Sequence, residues 1–189
     1  MTTYYNINPQ FYVSVDCIIF GFDKGSLKLL LLKRNFEPAK GSWSLMGGFV
    51  QDGESVDDAA KRVLAELTGL ENVYMEQVGT FGEVDRDPGE RVISVAYYAL
   101  ININEYDRNL VQQHNAHWAE INEIPPLVFD HPQMVKQARI MLQKKASSEP
   151  IGFNLLPSLF TLFQLQSLYE AIYGCLLYTS PSPRDYAAS

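Results

Sequence analysis

From Val56 onward, the apolar residues Val56, Ala59, Ala60, Val63, Leu64 and Leu67 recur at steps of three and four until Gly69 interrupts them. That spacing places them on one stripe of an α-helix. Ser55 and Asp58 resemble a capping box at its start, and Gly69 suits the left-handed conformation that ends helices. The residues just before it, GSWSLMGGFVQDGES, hold four glycines. Such a loop has the backbone freedom to shape a ligand site. Any fold for this chain must place a helix with defined ends directly behind that loop.

The remaining periodicities supply a sheet and a second helix layer. Residues 11–20 and 26–33 are rich in Val, Ile, Leu and aromatic side chains and flank the turn signal Asp23 to Gly25, which predicts two strands joined as a hairpin. Residues 73–81 predict a further strand. Residues 91–103 predict a long one, apolar on both faces and therefore covered on two sides. A shorter strand is expected near 116–121. Asp130 and Pro132 then mark a helix start, with Met134, Val135, Ala138, Met141 and Leu142 facing inward to about Lys145. After a stretch punctuated by Pro, Gly and Ser, Thr161 and Gln164 offer another capping box, opening a helix with Leu162, Leu165, Leu168, Tyr169 and Ile172 inward. The sum is an α+β fold, an α/β/α sandwich around a mixed sheet.

Composition narrows the function classes. A net charge of -7 and a pI near 4.9 exclude an all-over basic surface that would hold a phosphate backbone by charge alone. No run approaches the roughly 18 apolar residues of a membrane helix, and the polar start lacks signal-peptide order, so a cytoplasmic protein without membrane contact is expected. Cys17 and Cys175 suggest neither a disulfide nor a metal site. His114 and His117 lack companion ligands and read as polar loop residues. The last residues, CLLYTSPSPRDYAAS, change composition abruptly and resemble a translated sequencing-library adapter. The expected organisation is therefore a main domain over 1–148, the start of a second small domain over 149–174, and an artefactual tail over 175–189, with natural sequence expected to have continued past Gly174.

Gly48, Glu54, Arg62, Leu64, Glu66, Gly69 and Leu70 stand in the register of the Nudix box, and the chain over about 10–174 resembles Nudix proteins. The resemblance implies the Nudix sandwich. It also implies the chemistry of that family, whose hydrolases cleave nucleoside diphosphates linked to another group with Mg2+ held by helix glutamates. Glutamates at 63, 66 and 67 would share one helical face and bind hard cations. Here the residues are Val63, Glu66 and Leu67, so the box is vestigial, Glu66 is the one metal ligand left, and no cofactor is expected unless Mg2+-dependent hydrolysis survives. Met46 also replaces the family's frequent proline before the glycine pair.

The loop DRDPGER and the following VISVAYYAL resemble ADP-ribose-type Nudix proteins and Nudix-related bacterial regulators. Arg86 and Arg91 can fork onto an anionic or polyhydroxyl ligand, with Asp85 and Asp87 accepting from hydroxyls. A solvated turn of mutual salt bridges is the other reading. Arg34, Trp43, Gly47, Gly48 and Phe49 complete the expected ligand-binding set, with core packing the competing role for Trp43. LLPSLFTLFQLQSLYEAIYG resembles the first helix of the winged-helix domain attached to such regulators, and the pattern looks closest to the arabinose-responsive members. The resemblance implies a homodimeric transcriptional regulator sensing a sugar such as L-arabinose, or ADP-ribose. Its full-length form would bind operator DNA, which this chain, lacking a basic second helix, would not read. A Nudix hydrolase of ADP-ribose and a purely structural module are the competing expectations.

Overall fold

The computed structural model describes residues 7–104 and 112–175; most of the tail expected to be foreign, 176–189, lies outside the described residues. Strand β1, Tyr12–Asp23, turns through Lys24 and Gly25 into β2, Ser26–Lys33. Both turn residues have positive φ, 50° and 82°, the geometry of a type I′ turn, whose twist matches that of the paired strands. Two short strands follow, β3 at Trp43–Ser44 and β4 at Met46–Phe49, then helix α1 at Val56–Thr68. Strands β5, Tyr74–Phe81, β6, Val92–Ile101, and β7, Ala116–Glu120, lead to α2, His131–Ala146. A 3-10 turn at Ile151–Leu155 and helix α3 at Leu162–Tyr173 complete the described chain.

The sheet runs β3-β2-β1-β6-β5, with β4 also paired to β1 and β7 to β2. It is mixed, as expected: β1 and β6 are parallel from Tyr12↔Val92 to Gly21↔Ile101, and the neighbouring pairs are antiparallel. Because strand side chains alternate, β1 and β6 feed two cores. Val15, Cys17, Ile19, Val95, Tyr97 and Ala99 pack under α1. Ile18, Phe20, Ala96, Tyr98 and Leu100 pack under α2, the 3-10 turn and α3. This is the α/β/α sandwich, and central strands buried on both faces explain their nearly continuous apolar sequence.

Three local expectations need correction. The glycine-rich segment is not loop throughout, because β4 forms a ladder with the first half of β1, Ser14↔Phe49 to Cys17↔Met46. Two glycines in a four-residue strand hide that ladder from propensity. Leu162 does not face inward: at the first turn of α3 it is 83% exposed, and Leu168 and Ile172 carry the buried stripe. Asp130 precedes α2 but makes no side-chain cap hydrogen bond, since its carboxylate is committed elsewhere. The other caps follow the sequence: Ser55 Oγ accepts from the Asp58 amide, Gly69 is left-handed at φ 71°, and Thr161 with Gln164 forms a complete capping box. No helix among the described residues is long and apolar enough to cross a membrane.

Candidate functional site

Beside β4 and the start of α2 lies a cavity of about 240 Å³. Its walls come from five places in the sequence: the first half of β1, the end of β2 with the segment after it, strands β3 and β4, the stretch from Arg86 and Asp87 to Val92 at the start of β6, and the junction into α2. Asp16 is the acidic residue of the buried part of β1, and its Oδ2 accepts from Ser94 Oγ at 2.6 Å. Gly47 stands beside it on β4, at the register position Asp16↔Gly47. A Cβ at Gly47 would lie 2.5 Å from Asp16 Oδ1 and 2.8 Å from the Val15 carbonyl oxygen, so only glycine fits. Gly48 separates the cavity from α1: a Cβ there would meet Val63 Cγ2 at 3.0 Å.

A buried charge network closes one wall. Arg86 Nε and Nη2 donate to the two carboxylate oxygens of Asp130, both at 2.8 Å, and Nη2 also lies 3.5 Å from Asp16 Oδ2. The bidentate fork satisfies a guanidinium that is almost wholly buried. His131, the first residue of α2, accepts from the Leu45 backbone N–H at its Nδ1. A backbone N–H can only donate, so Nδ1 carries a lone pair and the proton of the neutral ring sits on Nε2. That Nε2 lies 3.7 Å from Asp16 Oδ1. Burial pushes the His131 pKa below the usual histidine value, against the opposing pull of Asp16 and Asp130, so the ring is neutral at pH 7.

Arg34 forms the mouth. Its guanidinium lies over the ring of Phe36, 4.2 Å from Cζ to the ring centre, and 5.3 Å from that of Phe129. Nε donates to the Pro38 carbonyl oxygen at 2.8 Å, which leaves both Nη groups without a hydrogen-bond partner among the described residues.

Of the expected ligand-binding residues, Arg34, Gly47, Gly48, Phe49 and Arg86 line this cavity, though the fork of Arg86 is occupied by Asp130. Trp43 packs at the edge of the core under α2, its ring edge-on to His117. Asp85 is exposed on its loop. Arg91 donates to the carbonyl oxygens of Gly82 and Glu83 at 2.9 Å and covers Phe11, so it holds the loop rather than lining the cavity. Sequence reasoning missed Asp16, Phe36, Phe129 and His131. An acid inside an apolar strand is the available signal for Asp16; Phe129 and His131 flank the Asp130 and Pro132 helix start, which by itself points to no ligand.

On the opposite face of β4, Arg62 organises the remnants of the glutamate helix. It donates to Glu54 through Nε at 3.0 Å and Nη2 at 2.7 Å, and to the Phe49 carbonyl oxygen at 3.1 Å. The hydrogen bonds from Arg62, helped by the Gln51 amide, hold the Glu54 carboxyl down at about 2. Glu66 lies 3.4 Å from Arg62 Nη1 and is otherwise open to solvent. Val63 and Leu67, 3% and 8% exposed, belong to the core under α1. Among the described residues no group of three or more His, Cys, Asp or Glu is placed to hold a metal ion. One carboxylate already paired with arginine and two aliphatic groups do not fit the magnesium ions that Nudix hydrolases use.

The family model for the NUDIX domain matches residues 10–141. The chain belongs to the Nudix family. The NrtR DNA-binding winged helix domain matches residues 152–180, a range that begins in the 3-10 turn, takes in α3 and runs past Gly174. This Nudix chain is 36% identical over 170 residues to the ADPR responsive transcriptional repressor NtrR of Acinetobacter baylyi, covering 88% of this chain and 68% of the repressor. It is also 36% identical over 124 residues to the ADP-ribose pyrophosphatase of Methanocaldococcus jannaschii, 66% of this chain and 70% of that one. Among solved structures it resembles Shewanella oneidensis NrtR in complex with a 27mer DNA, with TM-score 0.81, 30% identity, and coverage of 93% of this chain and 80% of that one. The NUDIX domain of the same protein complexed with ADP ribose matches with TM-score 0.59 at 30% identity, over 74% of this chain and 93% of that one. The ligand named in these relatives is ADP-ribose; none of them supports the arabinose-responsive resemblance drawn from sequence.

Proposed function

We propose that this chain is the effector-sensing part of a Nudix transcriptional regulator, that it binds ADP-ribose in the cavity beside β4, and that it does so without efficient hydrolysis and without a required metal. The observation that carries this reading is the contrast between the two sides of β4. On the α1 side, two of the three positions that would hold metal, Val63 and Leu67, are aliphatic and packed into the core. On the other side, a cavity keeps an arginine with uncommitted donors between aromatic rings.

Arg34, held over the rings of Phe36 and Phe129, can fork onto a diphosphate. A cavity of about 240 Å³ encloses one end of a ligand of this size and leaves the remainder at the mouth. The winged-helix match and the DNA-bound relative support operator binding by a longer form; a homodimer in the cytoplasm is part of the same proposal.

The second reading, an ADP-ribose pyrophosphohydrolase, is favoured by the archaeal relative and by the intact Glu54–Arg62–Glu66 set. Calorimetric titration with ADP-ribose and with L-arabinose, with and without Mg2+, while nucleotide turnover is followed in the same samples, decides between them. Saturable, metal-independent binding of ADP-ribose without turnover is expected. Magnesium-dependent cleavage would establish the hydrolase instead, and binding of L-arabinose alone would return the effector to a sugar.

A further inference from the structure

Three polar groups on residues that line the cavity have hydrogen-bonding capacity that the described residues do not use. Ser44, 1% exposed, sits on β3, and its Oγ is buried with no hydrogen-bond partner among the described residues. A buried hydroxyl left unpaired is destabilising, so its position here calls for an explanation. Asp16 uses Oδ2 for Ser94, while Oδ1 accepts no hydrogen bond among the described residues and faces His131 Nε2 at 3.7 Å. His131 spends Nδ1 on the Leu45 amide, so Nε2–H remains a donor without an acceptor in hydrogen-bonding range. All three residues line the same cavity and all are buried.

One is an obligate acceptor, one an obligate donor, and the hydroxyl serves as either. Phosphate would be repelled by Asp16, and an aliphatic group would leave all three unpaired. A vicinal diol, in which each hydroxyl both donates and accepts, satisfies them together. Resting on the ADP-ribose reading, we infer that Ser44, Asp16 and His131 form a ribose-diol subsite at the buried end of the cavity, with Ser44 a specificity-determining residue. ADP-ribose offers two such diols, one on the adenosine and one on the distal ribose.

The test is Ser44→Ala in the full chain, titrated by calorimetry beside the parent with ADP-ribose, ADP and ribose 5-phosphate. The substitution removes an unpaired hydroxyl, so the denaturation midpoint should be unchanged or higher, while affinity for ADP-ribose should fall about tenfold. A matching loss for ribose 5-phosphate but not ADP places the distal ribose in the subsite. A loss for ADP but not ribose 5-phosphate places the adenosine ribose there. If the parent binds ADP-ribose and Ser44→Ala binds it equally well, the subsite is overturned and the effector reading stands. If the parent does not bind ADP-ribose, the effector reading itself falls, and the subsite with it.

Discussion

At Gly47 the absence of a side chain determines whether the cavity keeps its shape. An added methyl would lie 2.5 Å from Asp16 Oδ1 and 2.8 Å from a backbone oxygen, and the backbone of a paired strand cannot give way cheaply. Gly47→Ala should therefore lower stability by about 1–3 kcal/mol in urea titration and weaken ADP-ribose binding together with it. Two other residues divide the pH dependence. His131 has a folded pKa depressed by burial, so the folded state binds fewer protons than the unfolded state once the pH drops below about 6.5. Its contribution is full above that value and lost on acidification through the folded pKa. Glu54, held at about 2 by Arg62, contributes above the ordinary value of 4.5 and loses that contribution as pH falls toward 2. Denaturation midpoints measured from pH 7.5 to 3 should fall in two stages, the upper one blunted by His131→Gln and the lower by Glu54→Gln. Legibility at this scale was uneven. Glycines in register with Glu54 and Arg62 stand out in the sequence, whereas Asp16 and His131 acquire meaning only when β1 and α2 are brought side by side.

Helix α1 shows how one element can keep a family's shape while dropping its chemistry. Its apolar period and both ends were legible because caps and periodicity are local, and the observed helix runs from the Ser55 cap to Gly69. The same period carries Val63 and Leu67, which satisfy the stripe and so conceal from periodicity that they occupy ligand positions. Returning carboxylates there should not be benign. Each of Val63→Glu and Leu67→Glu would bury a carboxyl without a partner, and each should cost about 1–3 kcal/mol in denaturant titration at neutral pH. Wild-type stability in either variant would show that the face is more open than its packing indicates. Strand β4 gives the converse lesson. Its partner is residues 14–17, far away in sequence, and no local signal in MGGF announces that ladder. The start of α2 is intermediate: Asp130 and Pro132 located it correctly, but the purpose of Asp130 is its fork with Arg86 across the cavity wall. Asp130→Asn should remove the bidentate counter-charge of Arg86 and leave it the longer contact to Asp16, destabilising the fold by about 1.5–3 kcal/mol in denaturant titration.

Over the whole molecule, the decisive fact is that the segment matching a winged helix shares its core with the Nudix domain. Ile151, Leu155, Leu168 and Ile172 lie in the same apolar cluster as Phe20, Leu29 and Tyr98, and Gln143 Nε2 of α2 donates to the Ile172 carbonyl oxygen at 2.9 Å. Helix α2 thus carries a cavity residue, His131, at one end and holds α3 about 18 Å further along, at 1.5 Å per residue. Such an arrangement lets effector occupancy bias the placement of α3 through a single rigid helix, provided that α3 and the sheet behave as one cooperative unit. That condition can be measured. Both tryptophans, Trp43 and Trp118, lie in the sheet, whereas helical circular dichroism includes α3. Leu168→Ala should cost about 2–5 kcal/mol, and in it and the parent the two signals should change together in urea. Saturating ADP-ribose at a hundred times Kd should then raise both by the same amount, about 2.7 kcal/mol. A helical transition that precedes the tryptophan one, unaffected by ligand, would separate α3 from the sensor and remove α2 as the route between them.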